Sequence, residues 1–234
     1  INRMVTDSIT DYFFTTSETA NNNLAKNGIS KDNIFYVGNT MIDTLLKHRS
    51  NFKKPPIWDE VGLKEKNYIV MTLHRPANVD EENILKELMN EIIKHSCGIP
   101  IVFPVHPRTS KIIESLLGAN SQQPITKNLH LVEPLGYLEF NYLVERAKAV
   151  ITDSGGITEE TTVMNVPCMT LRDNTERPET IELGTNELLG INPKAIGPAM
   201  ATLFSGNWKK GQIPYLWDGK TAERIVNHLL HLPV

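Results

Sequence analysis

The chain has 234 residues and a formal charge of −3, from 24 Lys+Arg against 27 Asp+Glu. That length allows one large domain or two small ones, and 40% apolar with 22% charged residues supports a packed core. The slightly acidic balance argues against a dedicated nucleic-acid binder, and no apolar run approaches the ~18–20 residues that span a bilayer. Cys97 and Cys168 stand far apart, with no CxxC and no His at ligand spacing. Neither a disulfide nor a bound metal is expected, and the thiols suit a reducing cytoplasm.

In chain order, Met4, Val5, Ile9, Tyr12 and Phe13 predict a helix running into a strand at Tyr12–Thr15. Ile1 sits inside that helical pattern, so the chain is expected to begin within a domain. Glu18–Asn27 predicts a second helix, ended by Gly28. A strand at Ile34–Val37 and a helix at Met41–Lys47 follow, and Asn51–Pro56 (NFKKPP) reads as a linker. Two strands cannot cover a core alone, so this opening is expected to be the tail of an α/β domain.

From Tyr68 onward short apolar runs alternate with amphipathic stretches. The runs are Tyr68–Thr72, Ile99–Val105, Leu129–Val132, Ala149–Thr152, Pro167–Leu171 and Glu187–Leu189. Each is short and continuous rather than alternating, as in a parallel strand buried on both faces. Between them, Asp80–His95 and Tyr137–Lys148 carry helical spacing, with Ile84, Leu85, Leu88, Ile92 and Ile93 lining one face of the first. The rhythm predicts a doubly wound α/β domain with a parallel sheet. Thr221–Leu232 predicts a closing amphipathic helix.

The sharpest motif is Thr152–Glu160, TDSGGITEE, directly after the strand AVIT. Gly155 and Gly156 let the backbone approach an anion at a helix start, and the Ser154 hydroxyl can add a donor. Glu159 and Glu160 lie about 100° apart around that helix. One could bond a ribose diol while the other faces solvent or the first turn. A tight Gly-rich turn with acidic residues favoured by the helix dipole is the alternative. His74-Arg75 and His106, followed by Pro107-Arg108, each end a strand at the edge where open α/β sheets bind ligands. In LRDNTERPE (Leu171–Glu179), Arg172 or Arg177 could neutralise a diphosphate, with Pro178 at N1 of a short helix. Pro134–Tyr137 and Phe140 offer an apolar loop for a base, or core packing instead. Neither GxxxxGK[ST] nor GxSxG occurs.

These pieces resemble the non-hydrolysing UDP-N-acetylglucosamine 2-epimerases. PVHPR, PLGYLEF, TDSGGITEE and RDNTERPE occur in the family's order and at similar separations. INRMVTD, FTTSETANNNL, VGNTMIDTLL, MTLHRPANV and WDGKTAERI match as well. The resemblance implies two Rossmann-like domains in the GT-B arrangement and epimerisation of UDP-GlcNAc at C2, by elimination and re-addition of UDP. It places Ser154, Gly155 and Gly156 on the diphosphate, Glu160 on the ribose, Leu135 and Phe140 around uracil, and Arg177 against the nucleotide sugar. His74 would stand at the reacting end as the catalytic residue. Arg75 and His106 match positions that in some relatives touch a second, regulatory UDP-GlcNAc.

No cofactor or metal is implied, and no nucleic-acid or membrane partner; the full-length protein would be a homodimer. The domain division expected is 1–50 as the tail of the first Rossmann-like domain and 51–216 as the UDP-binding domain. Residues 217–234 would form a helix able to cross back to the first domain. The family's acidic residues for proton transfer at C2 lie in its opening half. This chain is therefore expected to supply the UDP-binding half and to turn over little alone. A UDP-sugar-dependent GT-B glycosyltransferase, or a non-catalytic nucleotide-binding fragment needing a partner domain, are the alternatives.

Overall fold

Short apolar runs bounded by turn residues become strands only where neighbours satisfy their backbone, and here they pair in parallel. The computed structural model describes residues 2–75, 78, 82–105, 110, 113 and 127–232. The chain divides into two units, residues 1–50 with 213–234, and residues 51–212.

The first unit begins with α1 (Asn2–Ser8) and β1 (Phe13–Thr15). β1 pairs in parallel with β2 (Ile34–Tyr36), from Phe13↔Ile34 to Thr15↔Tyr36. Between them α2 (Glu18–Lys26) is closed at both ends. The Ser17 hydroxyl accepts the Ala20 N–H at 3.3 Å. Beyond the other end Gly28, at φ +88°, donates to Ala25 O at 3.1 Å while Ile29 donates to Leu24 O at 3.2 Å. This Schellman closure is what the Gly in Asn27-Gly28 signals. Asn39 caps α3 (Thr40–His48), accepting the Met41 N–H at 2.9 Å.

The C-terminal helix, Thr221–Leu229, packs on α3. Its first amides, from Thr221 and Ala222, donate to the Asp43 carboxylate at 3.1 and 2.8 Å. Just before it, the buried Trp217 donates Nε1–H to Thr16 O at 3.0 Å. Gly38 makes this closure possible, because its φ is +107° and a Cβ there would stand 2.2 Å from Leu216 O. Gly38→Ala is expected to cost about 2–4 kcal/mol, read as a fall in the urea midpoint. An unchanged midpoint would show that the backbones do not approach this closely.

The second unit contains α4 (Ile57–Glu60), β3 (Ile69–Thr72), α5 (Glu82–His95), β4 (Ile101–Pro104) and β5 (Leu129–Val132). It continues with α6 (Tyr137–Arg146), β6 (Ala149–Thr152), α7 (Gly155–Val163) and β7 (Cys168–Thr170). α8 (Glu179–Glu182), β8 (Asn186–Leu188) and α9 (Ile196–Phe204) complete it. The six strands form one parallel sheet in the order β5-β4-β3-β6-β7-β8. This is a Rossmann-like, doubly wound sheet: the chain builds outward from β3 to β5, then returns to β3 and builds the other way. The reversal lies between β3 and β6, which pair from Ile69↔Ala149 to Thr72↔Thr152.

Ile69, Met71, Ile101, Phe103, Ile151 and Met169 pack with Leu88, Met89 and Ile92 of α5 and Ile196, Met200 and Leu203 of α9. The alternate residues Val70, Val102, Val150 and Cys168 are equally buried and take the opposite face. There the Tyr68 hydroxyl donates to Leu143 O at 2.5 Å, and Trp58 meets the rings of Tyr68 and Tyr142 edge-on.

Two differences from the sequence reading have physical causes. The last strand forms at Asn186–Leu188, one residue earlier than Glu187–Leu189, because Cys168↔Asn186 sets its register on β7. α9 was not expected, since Gly197-Pro198 looks like a break. Pro198 falls in the first turn, where its missing N–H costs no helical bond. Gly197 lets the helix approach α5, where a Cβ would meet His95 Nε2 at 3.0 Å.

Candidate functional site

The carboxyl ends of β3 and β6 stand side by side at the reversal, where open α/β sheets leave a ligand crevice. Thr72 and Thr152 join there through their hydroxyls, Oγ1 to Oγ1 at 2.7 Å. The next residue after β6 is Asp153, fully buried, and its carboxylate gathers the end of β3 around it. It accepts the His74 N–H at 3.0 Å, the Arg75 N–H at 2.9 Å and Asn78 Nδ2 at 3.0 Å. Its Oδ1 also takes His74 Nδ1 at 2.7 Å. A carboxylate can only accept, so Nδ1 carries the proton and Nε2 is left facing away from Asp153. The His74 side chain is 62% exposed. Arg75 Nε bonds Asp153 O at 3.0 Å, which ties its stem to the same turn.

α7 starts two residues beyond Asp153. Its first-turn amides, from Gly155, Gly156 and Ile157, have no intrahelical acceptor. Ser154 occupies the N-cap position yet makes no capping bond with its side chain, so the hydroxyl stays free to meet a ligand. Arg172, just beyond β7, lies against this helix start: a Cβ on Gly155 would stand 3.4 Å from its guanidinium. Arg172 is only 6% exposed and its Nε has no hydrogen-bond partner. The carboxylate reaching it, Glu176, is half exposed and 3.9 Å away. A buried cation at the positive end of a helix dipole is unfavourable unless an anion joins it. Among the described residues, that long ion pair to Glu176 is the acidic contact of Arg172, so an anion bound at the start of α7 would meet a cation that is already buried there.

Both glutamates of TDSGGITEE are buried, which rules out solvent as the surroundings of either. Glu159 pairs with Arg177 Nε across from α7. Arg177 is further fixed by its N–H to Thr175 Oγ1 at 3.0 Å. Glu160 accepts from the Tyr137 hydroxyl at 2.9 Å, at the start of α6. Burial pushes the Glu160 carboxyl above its ordinary range, and the Tyr137 hydroxyl and Asn141 amide pull it back. The helix after Arg177 begins at Glu179, so Pro178 sits just before it as the cap residue instead of at N1.

Glu179 is 7% exposed, and neither carboxylate oxygen has a hydrogen-bond partner. Burial raises its pKa, with its own backbone N–H and, less strongly, the charge of Arg177 acting the other way. A carboxyl with a raised folded-state pKa disfavours the fold once ionised, so its cost appears above the ordinary carboxylate range. Glu179→Gln is therefore expected to stabilise the chain by about 1 kcal/mol at neutral pH, with the gain vanishing below about pH 4. Melting curves at both pH values check this; a loss of stability at neutral pH would show that Glu179 is paired.

The comparisons with known proteins bear on this geometry. The family model of UDP-N-acetylglucosamine 2-epimerase matches residues 1–230. The chain belongs to that family. A UDP-N-acetylglucosamine 2-epimerase of Methanocaldococcus jannaschii is 38% identical over 99% of this chain. Its crystal structure, in complex with UDP-GlcNAc and UDP, superposes with a TM-score of 0.81. The Neisseria meningitidis UDP-GlcNAc 2-epimerase, bound to UDP-GlcNAc, is 30% identical over 99% of this chain and 64% of its own, with a TM-score of 0.82. A Pseudomonas aeruginosa relative, 31% identical over 99% of this chain and 63% of its own length, is a UDP-2,3-diacetamido-2,3-dideoxy-D-glucuronate 2-epimerase. The chain spans 64% of the length of the M. jannaschii enzyme.

Within this family member, the expected site residues fall into one neighbourhood and one remainder. Ser154, Gly155 and Gly156 start α7, Glu160 lies on its second turn, and Arg177 is bonded to Glu159 beside it. His74 and Arg75 are tied to Asp153 immediately before that helix. Leu135 and Phe140, both half-buried, flank Tyr137, whose bond to Glu160 holds their segment at α7. Phe140 belongs to α6, so it is a helical residue and not part of a loop. His106 lies outside the described residues. Among the described residues, no three His, Cys, Asp or Glu gather as metal ligands, and no helix is long and apolar enough to cross a membrane.

Sequence reasoning missed three members. Asp153 and Tyr137 stood in the quoted motifs without a role, and Asn78 was not singled out. The available signal for Asp153 was its type: a charged residue one step past a wholly buried strand needs several donors around it.

Proposed function

We propose that this chain binds the UDP portion of a 2-acetamido nucleotide sugar, as the UDP-binding half of a C2 epimerase interconverting UDP-GlcNAc and UDP-ManNAc. The observation that carries the reading is the buried Arg172 against the start of α7, its Nε without a hydrogen bond and its ion pair to the half-exposed Glu176 a long one. A diphosphate supplies the missing negative charge. In this reading Ser154, Gly155 and Gly156 hold the diphosphate with Arg172, Glu160 takes the ribose, and Leu135 and Phe140 flank uracil. Arg177 reaches the sugar side, and His74 stands at the reacting end.

In the reaction, the C2 proton leaves to a base while the C1–O bond breaks and its electron pair goes to the UDP oxygen. That gives a C1=C2 double bond and free UDP. The proton then returns to C2 on the other face, and the same oxygen re-adds to C1. Negative charge grows on the diphosphate as the bond breaks. Donors already in place around it, Arg172 and the α7 amides, lower that barrier without reorganising. His74, oriented by Asp153, serves the leaving oxygen in this scheme as the imidazolium, whose Nε2–H donates to it while Nδ1–H stays on Asp153.

The 2-acetamido group and C2 chemistry are common to the names of the M. jannaschii and P. aeruginosa relatives, and the sugar differs between them. Arg75 and His106 are retained as positions for a second, regulatory UDP-GlcNAc. Exposed apolar residues on α1 and the C-terminal helix, among them Met4 and Leu229, support a homodimer of the full-length protein. Two unpaired thiols fit a cytoplasmic setting.

A chimera tests the reaction. This chain replaces its matched segment in the M. jannaschii enzyme, and the product is followed by proton NMR with UDP-GlcNAc in deuterated water. UDP-ManNAc carrying deuterium at C2 is expected. UDP release that needs a sugar acceptor, without exchange at C2, would instead mark a glycosyltransferase.

A further inference from the structure

We propose that Tyr137 sets the preference of this site for ribose over 2′-deoxyribose by fixing the Glu160 carboxylate. The inference rests on the reading of Glu160 as the ribose ligand. Glu160 lies on a helix whose residues from Thr158 to Val163 are all buried, so solvent does not hold its carboxylate. What holds it is the Tyr137 hydroxyl, 2.9 Å from Oε1. Tyr137 is the first residue of α6 and 40% exposed, so its ring bridges the surface and the buried acid.

The arrangement suits a cis-diol. With Oε1 anchored by Tyr137, Oε2 and the remaining lone pairs keep one orientation, and two adjacent hydroxyls can donate to them together. A site that pre-commits a buried acceptor discriminates strongly against an analogue lacking the donor, because that acceptor is then left unpaired. Without the tyrosine hydroxyl, the carboxylate is free to turn, and the energy of the second ribose bond is spent on ordering it. Tyr137 is therefore a positioning residue: it acts on the nucleotide through Glu160.

The test compares UDP with 2′-deoxy-UDP by calorimetry on this chain, its Tyr137→Phe variant and its Glu160→Gln variant. The wild-type chain is expected to bind UDP at least about tenfold more tightly than 2′-deoxy-UDP. In Tyr137→Phe, UDP affinity should fall while 2′-deoxy-UDP affinity holds, shrinking the ratio to about threefold or less; Glu160→Gln sets the ratio without a carboxylate. Equal losses for both nucleotides, or a ratio unchanged from wild type, would overturn the role of Tyr137. A wild-type chain that binds both equally would instead overturn the ribose role of Glu160, and one that binds neither would overturn the UDP reading itself. The phenylalanine keeps the ring and the helix, and a circular dichroism melt confirms that the variant folds.

Discussion

Replacing Asp153 with alanine should destabilise the second unit by about 3–5 kcal/mol. The carboxylate is fully buried and accepts from two backbone amides, from Asn78 Nδ2 and from His74 Nδ1. Deleting it strands those donors at the junction of β3 and β6. Each unmet donor costs its desolvation and is offset by nothing, which is why the loss exceeds that of the bonds alone. Asp153→Asn should cost less, about half as much, because one oxygen still accepts while the amide nitrogen opposes the donors. Urea unfolding measures both, and an alanine variant within about 1 kcal/mol of wild type would mean that the two strand ends are held by other contacts. The same substitution frees the His74 ring. Any activity that depends on His74 Nε2 should then drop in both variants, even where Asp153→Asn remains folded.

Arg172→Ala is expected to weaken UDP binding by about 2–3 kcal/mol, or roughly 30- to 150-fold. Uridine, which lacks the phosphates, should bind both proteins alike. The ligand-free variant should unfold at a midpoint equal to or above that of wild type, since a buried cation without a full partner is removed from the positive end of α7. That combination separates an anion site from a structural arginine. A structural role predicts a lower midpoint and an equal loss of uridine and UDP. Arg172→Lys should recover part of the UDP affinity, because the charge returns without the planar fork.

Much of this was legible in the chain itself, and the reasons differ by element. The strands from Ile69 to Thr170 announced themselves as continuous apolar runs, since burial on both faces leaves no polar alternation to confuse them. Gly28 marked its turn because at φ +88° other residues do poorly there. α9 was hidden, because Gly197-Pro198 carries the signature of a break and only its packing on His95 makes sense of the glycine. The polar pairings were hidden for another reason. Asp153 with His74, and Glu160 with Tyr137, join residues 79 and 23 positions apart, and local spacing holds no information about such partners. The exposed-or-buried choice for Glu159 failed similarly: its burial depends on Arg177, delivered by a different strand-to-helix turn.

The measurement closest to the central claim is a nitrogen–proton NMR titration of this chain with UDP, following the amides of Ser154, Gly155, Gly156 and Ile157. Gly155, Gly156 and Ile157 are expected to shift together and saturate with UDP, to stay nearly still with uridine, and to lose the shift in Arg172→Ala at the same concentration. UDP binding that moves other amides while these stay in place would contradict the site, and no shift anywhere would contradict the claim that this unit binds the nucleotide.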